Sequence, residues 1–182
     1  MKKLPKEIET ERLFIRVAKP GDGVAFNEAI LESINQLSPW LGWVTPRPTV
    51  EDSEQSCLRA HERFLRNEDL MAFFFLRDTG DLVGGSGLHD ANWDLRQFEI
   101  GYWGRTRFSG SGLITEGVRA LTHHALEKLN ASRVFLTTDD RNTASWRLAE
   151  RAGFQLEGIL RNERLDLTGR FRDTRVYARV SA

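Results

Sequence analysis

The spacing of apolar residues alternates along the chain between the period of a strand and that of a helix. Residues 11–17 alternate, with Leu13, Ile15 and Val17 on one face, and this pattern predicts a half-buried strand. Pro20-Gly21-Asp22 ends the strand and starts a helix. The residues expected on the buried face of that helix are Phe26, Ala29 and Ile30.

A second helix is predicted from Thr49 to about Asn67. Thr49-Val-Glu-Asp52 has the spacing of a capping box, with Asp in place of Glu. The residues available for its inner face are Leu58, His61, Phe64 and Leu65. The preceding segment, residues 37–48, carries three prolines, so no long regular element is expected there.

The middle of the chain reads as three strands in succession. Leu70–Leu76 is a continuous apolar run of strand length, and Thr79-Gly80 turns it into Leu82–Leu88. Glycines within that second strand indicate a bulge or a close backbone approach. Arg96–Trp103 is the next strand, and its short connection predicts an antiparallel pairing with Leu82–Leu88.

The chain is organised around residues 100–129, which predict a buried strand, a glycine-rich turn and a helix that starts near Gly112. Apolar residues follow the period of one buried helical face at positions Ile114, Val118, Leu121, Ala125 and Leu129. A further strand is predicted at Arg133–Thr138, followed by a short helix that ends at Gly153, a strand from Phe154, and a last hairpin of residues 161–167 and 170–180.

The glycine-rich turn has the physical features of a phosphate cradle. Gly110 and Gly112 allow a tight turn close to a ligand, and the unpaired N–H groups at the following helix start favour an anion. Arg105 and Arg107 add charge suited to phosphate. The turn lacks the Lys of a P-loop and the third glycine of a dinucleotide fingerprint, and a purely structural loop is the alternative.

Length and composition indicate one domain over residues 1–182, with a core of about residues 10–180. Lys plus Arg equal Asp plus Glu at 26 each, so there is no general field for nucleic acid. The single cysteine, Cys57, excludes an internal disulfide and is expected to be a buried helical thiol rather than a nucleophile. No metal site is expected. The sequence shows no apolar run of about twenty residues and no signal peptide. We therefore expect a cytoplasmic protein that does not associate with a membrane.

A series of ordered motifs resembles the GNAT acetyltransferase superfamily, and within it the Rim-type branch that acetylates the N-termini of ribosomal proteins. These motifs are Thr10-Glu-Arg-Leu13, Glu99-Ile-Gly-Tyr-Trp103, Gly110-Ser-Gly112 with Thr115-Glu116, Asp140-Arg-Asn142-Thr-Ala-Ser145, Glu150-Arg-Ala-Gly-Phe154 with Glu157-Gly158, and Tyr177-Ala178. The resemblance implies a mixed α/β fold with a mainly antiparallel sheet flanked by helices, whose central strands splay apart to bind acetyl-coenzyme A.

The superfamily's loop pattern, Gln/Arg-x-x-Gly-x-Gly/Ala, fits this chain in two registers. A literal reading uses Arg107, Gly110 and Gly112, whereas counting from the strand and the helix places Ser109, Gly112 and Ile114 at the three positions. We adopt the second register, which replaces the usual side chain by Ser109 and shifts the pyrophosphate contacts to backbone N–H groups. The residues that the resemblance implies for cofactor binding are Ile100, Gly101, Tyr102, Trp103, Arg107, Ser109, Gly110, Ser111, Gly112, Leu113, Ile114, Asn142 and Ser145.

Acetyl transfer from a thioester to an amine needs a neutral amine, a polarised carbonyl and a stabilised or protonated thiolate. Asn142 and Ser145 lie three apart at a helix start, where such residues usually act as caps. The resemblance implies in addition that Asn142 touches the pantetheine arm and that Ser145 lies near the sulfur. Tyr102 and Trp103 are expected to act through backbone groups that pair with the pantetheine arm where the strands splay.

The candidates for the base lie on or near the central strand. Glu99 is expected to remove the amine's proton through water or to bind the ammonium, with a surface or ion-paired carboxylate as the alternative. His89 is close to it in the antiparallel sheet and is a second candidate that also belongs to the acceptor site. Glu157 is a further acidic candidate for the base, because the resemblance places it near the site. Trp40 and Trp43 are either a packing plug or an acceptor-recognition surface, and the resemblance favours the second role.

We therefore predict an acetyl-coenzyme A-dependent N-acetyltransferase that acts by direct transfer on the N-terminal Ala or Ser of a ribosomal protein. A small amine such as a polyamine, an aminoglycoside or an aminoacyl-nucleotide toxin is the alternative acceptor, and a non-catalytic acyl-coenzyme A sensor is a third reading. A nucleic-acid-binding module has little support, although arginines cluster near the end of the chain at Arg161, Arg164, Arg170, Arg172 and Arg175. The sequence leaves a monomer and a homodimer both open.

Overall fold

A computed structural model describes residues 2–181. The strands are β1 (Glu7–Glu9), β2 (Leu13–Val17), β3 (Leu70–Leu76), β4 (Leu82–Asn92), β5 (Gln97–Gly104), β6 (Arg133–Asp139), β7 (Gln155–Leu165) and β8 (Phe171–Val180). The helices are α1 (Gly23–Glu32), α2 (Ile34–Leu37), α3 (Val50–Leu65), α4 (Leu113–Glu127) and α5 (Thr143–Arg151), with short 3-10 turns at Gly42–Val44 and Thr106–Phe108. No helix within these residues is long and apolar enough to cross a membrane.

All strands join one sheet in the order β1-β2-β3-β4-β5-β6-β8-β7. Every neighbouring pair is antiparallel except β5 and β6, which run parallel. Their pairing is short: it joins Gln97–Glu99 to Arg133–Phe135 and goes no further. Residues 100–104 of β5 and 136–139 of β6 therefore diverge, and the sheet opens at its centre. This confirms the expected mixed α/β fold with a mainly antiparallel sheet and splayed central strands.

Two hydrophobic clusters hold the helices against the sheet. One joins α4 and α5 to the central strands, and its fully buried members include Phe98, Leu121, Val134 and Tyr177. The other packs α1 and α3 around Phe73. Burial of this apolar surface is the main stabilising contribution to the fold. Three predicted inward faces are confirmed as buried: Leu13, Ile15 and Val17 of β2; Phe26, Ala29 and Ile30 of α1; and Val118, Leu121, Ala125 and Leu129 on and just after α4.

The helix starts follow the sequence signals. Thr49 caps α3 with a complete capping box: its hydroxyl accepts from the N–H of Asp52 at 3.1 Å, and Asp52 accepts from the N–H of Thr49 at 2.9 Å. α4 begins directly after Gly112, as predicted. These local interactions satisfy backbone donors that no helical carbonyl can reach.

Glycines in β4 allow the close packing that the sequence indicated. A Cβ atom at Gly84, which has a φ of 156°, would clash with the carbonyl oxygen of Trp103 on β5. A Cβ atom at Gly87 would clash with the ring of His89. The β3–β4 register also shifts between Phe74 and Phe75, which is the expected irregularity.

Some expectations were wrong. Leu65 is 70% exposed, because it lies in the last turn of α3, where the helix leaves the core. The strand from Phe154 and the first strand of the final hairpin form one continuous strand, β7, whose register with β8 slips between Leu160 and Arg164. The short strand β1 was not expected, because three residues of mixed polarity carry no periodic signal.

Candidate active site

The opening between β5 and β6 forms a cleft of about 890 Å³. Its walls include Ile100–Arg105 of the β5 side and Leu136–Asp139 of β6. Because no ladder joins the two strands here, the facing backbone N–H and C=O groups are available to a ligand. The cleft therefore presents an unpaired strand edge to any bound peptide-like group.

A glycine-rich loop closes one end of this cleft. Ser109, Gly110 and Gly112 line it together with Leu113 and Ile114 at the start of α4. Gly110 and Gly112 both have a φ of 78°, in the left-handed region that disfavours other residues. The first N–H groups of α4 have no carbonyl partner within the helix, so an anion can accept from them.

Two arginines of this loop are held by carboxylates. The guanidinium of Arg105 lies 2.7 Å from Glu32 at the cleft wall, and that of Arg107 lies 2.8 Å from Asp81. Arg107 is not among the cleft-lining residues, and neither is Ser111, whose hydroxyl donates to the carbonyl of Phe108 at 2.6 Å. These two predicted cofactor residues therefore do not line the cleft.

The N-terminal segment fixes the start of α4. Glu116 accepts from the hydroxyl of Thr10 at 2.7 Å and from Nε of Arg12 at 2.6 Å. Arg12 also donates to the carbonyl of Ser111 at 3.1 Å. Although burial raises the pKa of Glu116, the hydrogen bonds from Thr10 and Arg12 and the charge of Arg12 lower it overall. Two motifs distant in sequence thereby hold the loop in place.

In the wall of the cleft, Tyr102 on β5 meets Ser145 on α5. The phenol donates to the carbonyl oxygen of Ser145 at 2.8 Å, and its oxygen lies 3.2 Å from the Ser145 hydroxyl oxygen. Burial raises the pKa of Tyr102 to about 12, so the phenol stays protonated at neutral pH. Asn142 caps α5 by accepting from the N–H of Ser145 at 3.2 Å. Asn142 and Ser145 both line the cleft, so capping leaves them accessible to a ligand.

Glu99 lies where β5 and β6 part, directly opposite His89 in the β4–β5 register. It accepts from the hydroxyl of Thr137, a cleft-lining residue, at 3.0 Å, but it does not itself line the cleft. His89 is held by Asp69, with Nδ1 lying 3.1 Å from either carboxylate oxygen. Glu157 is ion-paired with Arg133 away from the cleft. Glu99 and His89 are thus adjacent, and Thr137 connects Glu99 to the cleft.

The two tryptophans occupy different environments. Trp40 lines the cleft. Trp43 does not line it; its ring packs against Phe26, with 6.0 Å between the ring centroids. Trp40 thus faces the cleft, whereas Trp43 packs on the α1 side of the molecule.

Cys57 is fully buried, and burial raises the pKa of its thiol to about 12. This thiol is therefore not an available nucleophile. Among residues 2–181, no group of three or more His, Cys, Asp or Glu side chains is arranged to hold a metal ion.

Sequence reasoning missed two features of the site. The first is the Tyr102 side chain, for which only a backbone role was predicted. The second is the pair Arg164 and Arg172, which the sequence showed only as part of a cluster of arginines near the end of the chain but which line the cleft. The sequence signal for Arg164 and Arg172 was their position on the two strands of one hairpin. Residues that lie opposite each other on paired strands point to the same face of the sheet.

Comparison with known proteins places this site in a family. A model of the acetyltransferase (GNAT) domain matches residues 12–155. The chain belongs to the GNAT acetyltransferase family and is an acetyltransferase of its Rim-type branch. It is 30% identical to a putative ribosomal N-acetyltransferase, YdaF of Bacillus subtilis, over 84% of this chain and 82% of the relative. It is 34% identical to the ribosomal-protein-serine acetyltransferase of Escherichia coli, over 81% and 79% of the two chains.

Solved structures share the fold over nearly the whole chain. RimL, a ribosomal L7/L12 α-N-protein acetyltransferase solved in complex with coenzyme A, has a TM-score of 0.89 at 22% identity, with coverage of 96% of this chain and 98% of that one. The microcin C7 self-immunity acetyltransferase MccE, solved with acetyl-coenzyme A and AMP, has a TM-score of 0.88 at 19% identity, with 98% of both chains covered. At these identities the likeness defines the fold.

Proposed function

We propose that this protein transfers the acetyl group of acetyl-coenzyme A directly to the N-terminal amine of a ribosomal protein that begins with Ser or Ala. The observation that carries the proposal is the cleft between β5 and β6, with the Tyr102–Ser145 contact in its wall. The named activity of the Escherichia coli relative, which acts on ribosomal-protein serine, supports the acceptor class.

The cleft residues fit acetyl-coenzyme A. The loop of Ser109–Gly112 and the first N–H groups of α4 would hold the pyrophosphate. The free edge of β5 at residues 100–104 would pair with the amides of the pantetheine arm. The amide nitrogen of Asn142 has no partner among the described residues, so it is available as a further donor. The ligand would thus lie across the opening with its thioester near Ser145.

In the proposed reaction the neutral amine attacks the thioester carbonyl carbon. A backbone N–H of β5 polarises the carbonyl oxygen, and the carbon–sulfur bond then breaks to leave a thiolate. Ser145 donates a hydrogen bond that stabilises the thiolate, and Tyr102 orients the Ser145 hydroxyl. The thiolate then takes its proton from solvent. The proton lost by the amine passes through water to Glu99, by way of the Thr137 side of the cleft. Both substrates bind together, so no acetyl-enzyme forms.

A small-amine acceptor is the second candidate, favoured by the position of Trp40. An exposed indole at the cleft wall can stack on a flat group as well as cover a chain terminus. MccE, which shares the fold, was solved with AMP.

For a ribosomal-protein acceptor, we place the reaction in the cytoplasm.

An acceptor panel tests the proposal. Coenzyme A release would be followed with Ser- and Ala-starting ribosomal peptides, the same peptides blocked at the N-terminus, spermidine, an aminoglycoside and an aminoacyl sulfamoyl adenylate. We expect release with the free peptides and none with the blocked ones. Release with a small amine alone would overturn the acceptor assignment and retain the chemistry.

A further inference from the structure

The β7–β8 hairpin brings two arginines together at the wall of the cleft. Arg164 and Arg172 are directly opposite in the strand register, and both line the cleft. Like charges opposite each other in a sheet repel. A hairpin that keeps such a pair in a cleft pays a cost in stability unless a counter-charge is present.

The carboxylates around the pair are already engaged. Asp139 is bound by Arg141, with Oδ2 of the carboxylate 2.8 Å from Nη2 of that arginine. Asp166 lies 3.0 Å from the same Nη2 and also accepts from the hydroxyl of Thr168. Glu163 accepts from Arg164 and from Thr174. Glu163 thus pairs with Arg164 itself, and Asp139 and Asp166 pair with Arg141, so no carboxylate on this wall is hydrogen-bonded to Arg172.

Arg172 is left with an unused donor. Its Nη1 atom is the one buried side-chain nitrogen or oxygen in residues 2–181 that has no hydrogen-bond partner. The nearest carboxylate oxygen, on Asp139, is 3.9 Å away, beyond hydrogen-bond distance. The side chain is only 14% exposed. Burial lowers the pKa of Arg172, and repulsion from Arg164 lowers it further. A buried guanidinium N–H without an acceptor is costly.

We infer that Arg172, assisted by Arg164, binds a carboxylate or phosphate carried by the acceptor close to its reacting amine. Such a group would accept from the free Nη1, offset the repulsion between the arginines, and fix the amine relative to Glu99. A planar guanidinium suits an anionic oxygen group of this kind. This inference rests on the proposed acetyl transfer and specifies its acceptor: an amine with an acidic neighbour.

Pairs of acceptors that differ only in an anionic group test whether that group is recognised. One pair consists of peptides starting Ser-Asp and Ser-Asn, identical otherwise; a second consists of phosphoethanolamine and ethanolamine. The first pair supplies a peptide carboxylate and the second a small-molecule phosphate. We expect the wild-type protein to prefer the anionic member of at least one pair by about tenfold or more in kcat/KM.

Matched variants locate the effect. Arg172→Gln should reduce kcat/KM for the preferred anionic acceptor by about 10- to 100-fold, while the neutral acceptor changes by about twofold or less. Arg164→Gln changes an exposed side chain and should give a smaller loss of kcat/KM for the anionic acceptor. It replaces Arg172→Gln in this test if Arg172→Gln has a strongly lowered melting temperature. Arg161→Gln removes the same charge from β7 outside the cleft and should keep the preference.

The outcomes separate the two proposals. Equal rates for anionic and neutral acceptors, or a preference that survives in both cleft variants, would overturn the anion site while peptide acetylation continued. A preference confined to phosphoethanolamine, without peptide turnover, would support the anion site and reject the ribosomal-protein acceptor. Loss of the preference in Arg161→Gln as well would assign it to overall charge and overturn the site.

Discussion

The phenol oxygen of Tyr102 lies 3.2 Å from the hydroxyl oxygen of Ser145, connecting β5 to the start of α5 across the cleft. Tyr102 also donates to the Ser145 carbonyl at 2.8 Å, so the phenol holds both the backbone and the side chain of this residue. Since α5 begins at Thr143 and Asn142 caps it, the position of the hydroxyl depends on both the helix start and the strand. In the proposed reaction, this contact would position the serine hydroxyl to donate a hydrogen bond to the departing thiolate.

Ser145→Ala should lower kcat by about tenfold or more, because the departing thiolate loses its donor, with only a modest loss of cofactor binding. Tyr102→Phe should lower kcat less, since the serine remains but is no longer oriented. The double variant should be no slower than Ser145→Ala alone, because both changes act through one hydroxyl. Steady-state kinetics of the three variants, with acetyl-coenzyme A binding measured by calorimetry, provides the check. Additive losses would mean that Tyr102 acts independently of Ser145.

Glu99→Gln should reduce kcat/KM by about 100-fold if this carboxylate is the base, because glutamine keeps the Thr137 contact but cannot take a proton. His89→Gln should have a smaller effect, since the ring is tied to Asp69. Initial rates of both variants with one acceptor decide between the two candidates. A larger loss in His89→Gln would assign the base to histidine.

Trp40→Ala should raise the KM for the acceptor several-fold with little change in the KM for acetyl-coenzyme A, because the indole lines the cleft and in the proposed function contacts the acceptor. Trp43→Ala is the matched control. It should lower the melting temperature through the lost contact with Phe26 while leaving acceptor KM nearly unchanged. Equal effects of the two changes on acceptor KM would contradict the division of roles.

Glu116→Gln should destabilise the protein by roughly 1–2 kcal/mol at neutral pH, because it weakens the hydrogen bonds from Thr10 and Arg12. The pKa of Glu116 lies below its ordinary value of 4.5 in the folded protein. Its ionised form therefore stabilises the fold above that value, and the contribution is lost as the pH falls through the lowered pKa. Urea unfolding of both proteins across this range should show the difference shrinking in acid. A constant difference would exclude ionisation as its source.

Local patterns were sufficient to predict most elements of the fold. The apolar run Leu70–Leu76 became β3 with the same bounds, and the capping box at Thr49 placed the start of α3. These features depend on neighbouring residues, which the sequence displays directly. β1 was missed because its stability comes from pairing with β2 rather than from its own pattern.

The site was less accessible to such reasoning. The Tyr102 hydroxyl finds its partner 43 residues away, and no spacing in the chain encodes that contact. In the sequence, Arg172 is one of several arginines near the end of the chain. Only the fold shows that its side chain is 14% exposed and faces the cleft. Family motifs indicated where the site lies; tertiary packing determined which side chains meet there.

The most direct test of the account measures thiol release and enzyme mass in one reaction. The protein would be incubated with acetyl-coenzyme A, with and without a Ser-starting peptide, and both products followed with a thiol reagent and intact mass spectrometry. The buried Cys57 thiol, with a pKa of about 12, should not consume the reagent. We predict one free thiol per acetylated peptide, only when the peptide is present, and an unchanged enzyme mass. An acetylated enzyme without acceptor, or tight binding with no release for any amine, would contradict direct transfer in this cleft.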